Sequence, residues 1–122
     1  MDEVRIDLRI PDKEREKKIK RSSELYFKIN HTMPTSVECR KLIEELFNNN
    51  LDKTTTINPP IFTLLGNTIK LGKGIVLMSG FQCMSLEGLT IEDNTLISLS
   101  CIITTNNHDF YDRPIITCNL FT

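Results

Sequence analysis

A polar turn near the end of the chain, Asn106-Asn107-His108-Asp109, carries one of its two histidines. An unperturbed imidazole has a pKa of about 6.5, so at pH 7 it is largely neutral and available as a general base. A lone histidine in such a turn is more often an ordinary loop residue, and both interpretations stay open here. Asn107 and Asp109 flank His108 and are candidates to orient the turn and to contact a substrate.

The four cysteines stand at positions 39, 83, 101 and 118. None of them forms a Cys-x-x-Cys pair, which is the spacing typical of zinc sites. The spacing therefore predicts no metal site. In a cytosolic chain we expect reduced thiols that act as small buried hydrophobic residues.

Composition separates the 122 residues into two halves that we interpret as domains, 1–53 and 54–122. Residues 1–53 hold 12 of the 15 basic and 11 of the 16 acidic side chains. The net charge of -1 argues against a nucleic-acid binder that relies on bulk charge. No apolar run approaches the roughly 18 residues of a membrane span, and the first residues do not resemble a secretory signal. We therefore expect a cytoplasmic protein.

The first half predicts a short strand and a helical hairpin. Residues 4–10 alternate apolar and charged types, which indicates a half-buried strand that ends at Pro11. Asp12 can cap a charged helix over 13–29. Thr35 and Glu38 have the spacing of a capping box for a second helix. The apolar face of that helix recurs at helical spacing and comprises Cys39, Leu42, Ile43 and Leu46.

Aliphatic residues in the second half recur every six positions. One series is Leu71, Leu77, Cys83 and Leu89, and after a shift of two residues another is Ile91, Ile97 and Ile103. Six and eighteen residues are the side and the coil of a triangular left-handed β-helix, whereas a hairpin sheet predicts period two. This pattern predicts that Cys83 and Cys101 stack on neighbouring coils.

Four segments in order make the pattern more specific. They cover 24–32, 51–60, 88–94 and 104–113, and the last contains the Asn-His-Asp turn. Together they resemble the maltose and galactoside acetyltransferase group of the hexapeptide-repeat sugar O-acetyltransferases. The resemblance implies an N-terminal helical cap, a left-handed β-helix and a homotrimer. It also implies acetyl-CoA as co-substrate with no bound cofactor, a sugar or similar small acceptor, and His108 as the catalytic base.

The chain also departs from this family. Met78 stands where the family commonly has a polar Asn that faces the substrate, and the sequence contains no Trp. Family chains usually continue with further coils beyond the position of Cys118, so we expect a C-terminally truncated member whose coenzyme-binding residues are not identified. Three hypotheses follow: an active O-acetyltransferase, a non-catalytic remnant or assembly module that retains the fold, and a carbohydrate-binding scaffold.

Overall fold

The structure is a computed structural model that describes residues 12–84, 86 and 88–104, and describes 3–7, 106–108 and 115–119 as backbone strands. Two helices precede most of the strands. The elements are β1 (Glu3–Asp7), α1 (Lys13–Asn30), α2 (Val37–Leu46), β2 (Thr56–Ile57), β3 (Ile61–Thr63), a 3-10 turn (Gly66–Thr68), β4 (Ile69–Leu71), β5 (Val76–Leu77), β6 (Phe81–Met84), β7 (Leu89–Ile91), β8 (Leu96–Ile97), β9 (Ile102–Thr104), β10 (Asn106–His108) and β11 (Ile115–Asn119).

Helix α1 begins as the sequence predicts. The Asp12 side chain accepts a hydrogen bond from the backbone N–H of Arg15 at 3.0 Å, which satisfies one of the unpaired donors of the first turn. The helix buries Ser22, Leu25 and Ile29 at helical spacing, and its charged residues lie on the other face. The last residue of the helix is Asn30, and His31 follows it as the C-cap.

Helix α2 begins one residue later than the predicted capping box. Ser36, not Thr35, is the cap, and its hydroxyl accepts the backbone N–H of Cys39 at 3.1 Å. The Thr35–Glu38 capping box is therefore wrong, because Ser36 has the extended backbone that a cap needs and takes the donor three residues on. The apolar face is confirmed, with Cys39, Ile43 and Leu46 buried.

The strands β2 to β9 stack in parallel to form the sides of a short coil. Three sheets result, with the orders β2-β5-β8, β3-β6-β9 and β4-β7. The first two take one strand from each of three successive coils, and the described strands of the last come from the first two coils. The core between them is aliphatic and aromatic, and includes Ile57, Ile61, Ile69, Ile75, Leu77, Phe81, Cys83, Leu89 and Ile91. The period-six residues thus point inward, as predicted.

The coil length is 20 residues, not the predicted 18. Hydrogen bonds between stacked corners join residues 20 apart, such as Lys73 N–H to the Asp93 carboxylate at 2.7 Å. The predicted shift of two residues occurs in both coils whose third side the structure describes. In each, the third strand, β4 or β7, directs two alternate residues inward. One side of each of these two coils is therefore two residues longer than a hexapeptide.

This coil length corrects the predicted stacking of the cysteines. Cys83 stands level with Ile103 on one side and with Thr63 on the other. Cys101 comes one position before the row of Gln82 and Ile102, and it is half-buried rather than interior.

The helical hairpin is fixed to the first coil by partly buried polar side chains. The Asn30 side chain accepts the backbone N–H of Ile61 at 2.8 Å and donates to its carbonyl at 2.9 Å. On the second helix, the Arg40 guanidinium donates to the carbonyls of Thr55 at 2.7 Å and Asp52 at 3.1 Å. The predicted fold class, a helical hairpin followed by a short hexapeptide-repeat β-helix, is confirmed.

A separate antiparallel sheet joins the two ends of the described chain. Its order is β1-β11-β10, and Ile6, for example, stands opposite Ile116. The predicted N-terminal strand is confirmed over 4–7, while the rest of that prediction, 8–11, lies outside the described residues. The strands after β9 therefore leave the parallel stacking of the coils.

Candidate functional site around the His108 strand

The strand that contains His108 follows the last described side of the coil almost directly. β9 ends at Thr104 and β10 covers Asn106–His108. β10 pairs antiparallel with β11, so that His108 stands opposite Ile116 and Asn107 opposite Thr117. Asn107 and His108 are therefore consecutive strand residues. Asp109, the third predicted site residue in this turn, lies outside the described residues.

Met78, the fourth predicted site residue, lies in another part of the fold. It follows β5, its backbone N–H donates to the Ile97 carbonyl at 3.0 Å, and its side chain is half-buried. β5 belongs to the sheet β2-β5-β8, whereas β10 belongs to β1-β11-β10. The structure thus keeps Asn107 and His108 together and puts Met78 directly after a strand of a different sheet.

A shallow groove of about 500 Å³ runs along β4 and β7. Lys70 and Thr90 stand side by side in its wall, because the two strands pair in register. Glu92 and Asp93 add two carboxylates at the corner that follows β7. This groove was not predicted from the sequence, although the 20-residue spacing of Lys70 and Thr90 is a signal that indicates it.

The second histidine has a structural role. His31 ends α1, is exposed, and its Nδ1 lies 2.7 Å from the Phe27 carbonyl oxygen. Its ring stacks on the Phe27 ring, with centroids 4.2 Å apart. It therefore supplies a histidine of known surroundings against which a role for His108 can be tested.

The thiols and carboxylates of the described part of the chain do not converge on a metal site. No three of its His, Cys, Asp and Glu side chains come together as metal ligands there. Cys39 lies on the buried face of α2. This burial, with a smaller effect of the nearby Glu38 carboxylate, raises the pKa of its thiol. A raised pKa keeps the sulfur protonated and poorly nucleophilic, which suits a core residue.

Neither of the two described helices has the length and hydropathy required to cross a bilayer.

Comparisons with known proteins agree with the resemblance carried by the motifs. No family model matches the chain. Galactoside O-acetyltransferase of Escherichia coli K12 is 28% identical over 89 residues, which are 72% of this chain and 43% of that protein. The chain therefore spans less than half the length of this curated relative.

Solved structures match the fold. The crystal structure of a hexapeptide-repeat-containing acetyltransferase from Vibrio cholerae superposes with a TM-score of 0.81, at 24% identity, over 93% of this chain and 66% of that one. The structure of that acetyltransferase complexed with acetyl coenzyme A matches with a TM-score of 0.71, at 23% identity, over 86% of this chain and 58% of that one. The chain is therefore similar in sequence to a galactoside O-acetyltransferase, and it has the fold of a hexapeptide-repeat acetyltransferase.

Proposed function

We propose that this chain is an acetyl-CoA-dependent O-acetyltransferase that transfers acetyl to a hydroxyl of a sugar or similar small acceptor. Residues 1–53 would serve as the cap and 54–122 as the β-helix domain, whose parallel coils end at β9. The observation that carries the proposal is the position of His108, which ends a strand immediately after the third coil. The similarity to galactoside O-acetyltransferase and the acetyl-CoA complex of the Vibrio protein support the donor and the acceptor class.

The proposed reaction needs a base because a sugar hydroxyl is a poor nucleophile at neutral pH. In this mechanism the His108 imidazole removes the hydroxyl proton while the oxygen attacks the thioester carbonyl. The tetrahedral intermediate then expels the coenzyme A thiolate, which recovers the proton from the imidazolium. Such general-base assistance is worth roughly 10²–10⁴ in rate. Direct attack requires donor and acceptor to be bound together, and no acyl-enzyme forms.

The neighbours of His108 take positioning roles in this proposal. Asn107 precedes it in β10, and Asp109 follows it in the sequence. Both side chains can hydrogen-bond a hydroxyl or hold the turn. Met78, a further predicted substrate contact, would offer the acceptor an apolar surface instead of an amide.

The two histidines allow a matched test. Calorimetric titration of the purified chain with acetyl-CoA is followed by assays of thiol release with a panel of sugars. We expect donor binding and turnover, a loss of roughly 10²-fold or more in His108→Ala, and near-normal turnover in His31→Ala. Equal turnover in the two variants would contradict the role of His108, and absent donor binding at millimolar acetyl-CoA would contradict the transferase.

Assembly as a homotrimer belongs to the same proposal. Large apolar side chains lie exposed around the third coil: Leu96 in β8, Leu99 in the turn that follows, and Ile102 in β9, at 63%, 61% and 61% of their full accessible area. Phe62 adds a fourth in the same sheet as Ile102. Aliphatic residues grouped on stacked strands are typical of a surface that another subunit covers.

Sedimentation velocity tests the assembly. Ile102→Glu should shift the chain to the monomer, because a charge cannot be buried in an apolar contact without cost. Lys70→Glu, on the polar sheet β4-β7, changes charge at an exposed strand position and should leave the assembly unchanged. A monomeric parent chain, or identical behaviour of the two variants, would contradict the interface.

The second candidate is a non-catalytic assembly module that retains the fold. The observation in its favour is the same exposed apolar surface, which requires no base and no donor. The two candidates separate cleanly: assembly that depends on Ile102 in a chain that does not bind acetyl-CoA supports the module, whereas turnover that depends on His108 supports the enzyme.

A further inference from the structure

The strand that ends at His108 has little support of its own. β10 pairs with β11 over three rows, in which Asn106 stands opposite Cys118, Asn107 opposite Thr117 and His108 opposite Ile116. A two-stranded hairpin is marginally stable in water, and a third strand or a packed helix is needed for independent stability. In the described sheet the third strand is β1, which pairs with the other side of β11 over five residues.

The register links β1 to the row of His108. Ile6 stands opposite Ile116, and Ile116 stands opposite His108. Residues directly opposite in antiparallel strands belong to the same face of a sheet, so these three positions share one face. Arg5 belongs to the neighbouring row, with Thr117 and Asn107, on the other face.

The start of α1 keeps β1 within reach of β11. Asp12 caps the helix, only a few residues after the end of β1. The first turns of the helix line one pocket together with Leu65, Thr68 and Leu86 of the coils. A strand tethered to a packed helix pairs as an intramolecular event, at a high effective concentration.

We propose that β1 is a positioning strand for the catalytic base: it holds β11, and β11 holds the strand that ends at His108. This inference rests on the proposed function of His108. The apolar residues of β1, Val4 and Ile6, belong to the face of the His108 row, and its charged residues belong to the other face. Ile6 is the positioning residue, because its row contains His108.

The test removes the strand and measures the order of β10 separately from activity. The variant lacks residues 1–9 and retains Asp12, the N-cap residue of α1. Amide hydrogen exchange at 106–108 should accelerate at least about tenfold, while exchange in β6 stays unchanged, because only the antiparallel sheet loses a strand. The turnover number should fall by roughly 10- to 100-fold with little change in the KM for acetyl-CoA, since misplacement by about 1 Å can cost 10²-fold.

A matched pair of substitutions covers the case in which the shortened chain does not fold. Ile6→Asn and Arg5→Asn introduce the same side chain at adjacent positions of β1. We expect faster exchange at 106–108 and a lower turnover number in Ile6→Asn, and near-parental values in Arg5→Asn. Unchanged exchange in Ile6→Asn, or faster exchange with a parental turnover number, would overturn the positioning role. A parental chain without turnover would refute the proposed function, while exchange would still decide whether β1 orders β10.

Discussion

The hydroxyls of Ser22 and Thr63 lie 2.9 Å apart in a buried hydrogen bond between α1 and the first coil. The Ser22 oxygen also accepts the backbone N–H of Gly66 at 2.9 Å. One small side chain thus satisfies a donor of the 3-10 turn and links the cap to β3. Because both hydroxyls are almost fully buried, the partners cannot turn to water if the serine is lost.

Ser22→Ala should therefore destabilise the chain by about 1–3 kcal/mol, the cost of a buried N–H left without its acceptor. Ser23→Ala is the matched control, since the Ser23 hydroxyl donates to the Lys20 carbonyl at an exposed site. Its expected effect is within about 0.5 kcal/mol. Urea unfolding measures both, and equal losses in the two variants would show that the Ser22 bond does not stabilise the joint.

The corner before β7 depends on a glycine. Gly88 has a φ of 106°, and a Cβ at this position would lie 2.8 Å from the Thr68 carbonyl oxygen on the coil below. Gly88→Ala should cost roughly 1–3 kcal/mol, because the backbone conformation is strained for an L side chain and the obstacle is itself backbone.

Gly74 provides the contrast for Gly88→Ala. Its φ of 64° is close to the 58° of Asn94, the residue one coil above. Gly74→Asn should cost less than about 1 kcal/mol, because asparagine tolerates this left-handed conformation and only the flexible tip of Asn94 must shift. Thermal unfolding compares the two variants, and a larger loss for Gly74→Asn would contradict this account of the corners.

The described cysteines should differ in reactivity towards an alkylating reagent. Burial raises the pKa of the Cys39 thiol, so at pH 8 it stays protonated, whereas Cys101 is half-buried at the coil surface. Mass-spectrometric mapping should find Cys101 labelled at least about tenfold faster than Cys39, and equal rates in urea. Rapid labelling of Cys39 in the folded chain would mean that the helical hairpin opens readily.

The raised pKa of Cys39 also sets the sign of an alkaline effect. The stabilisation is fully present below the ordinary pKa of the thiol and is lost as the pH rises through the pKa in the folded state. Between these two pKa values only the unfolded chain readily forms the thiolate. The free energy of unfolding should fall less between pH 7 and 10 in Cys39→Ala than in the parent chain. An identical fall in the two chains would show that the Cys39 thiol does not cause the alkaline loss of stability.

The pKa of Asp52 is shifted in the opposite direction, so its effect on stability appears at acid pH. The Thr54 hydroxyl donates to its carboxylate at 2.5 Å and the Thr54 backbone N–H at 2.9 Å, and these bonds lower the pKa of the carboxyl. The stabilisation is present above the ordinary pKa of about 3.9 and is lost as the pH falls through the folded value. Carbon NMR titration should find this pKa raised in Thr54→Val.

Thr56→Val is the control for the Asp52 titration, because Thr56 is an exposed threonine two residues further along the chain. This variant should leave the pKa of Asp52 at its parental value. A parental pKa in Thr54→Val as well would show that the hydroxyl is not the main cause of the shift.

The site could be predicted from the sequence only in part. The segment around His108 was identified because its residue types suit base catalysis and its order matches a family pattern. Its position in an antiparallel sheet with β1 could not be predicted, because Glu3 and Asn119 pair across almost the whole chain and leave no local signal. The groove beside Lys70 was not predicted because its walls come from different coils, so that only the 20-residue spacing of Lys70 and Thr90 indicates it.

The features that could be predicted from the sequence are local. The spacing of apolar residues and the cap at Asp12 specified the helical hairpin, and the six-residue recurrence specified inward-facing sides. Tertiary structure alone decided the 20-residue coil, the choice of Ser36 over Thr35 as a cap, and the partner of the N-terminal strand. The physical reason is that periodicity records which face of an element is buried, whereas register and strand partners depend on residues far apart in the chain.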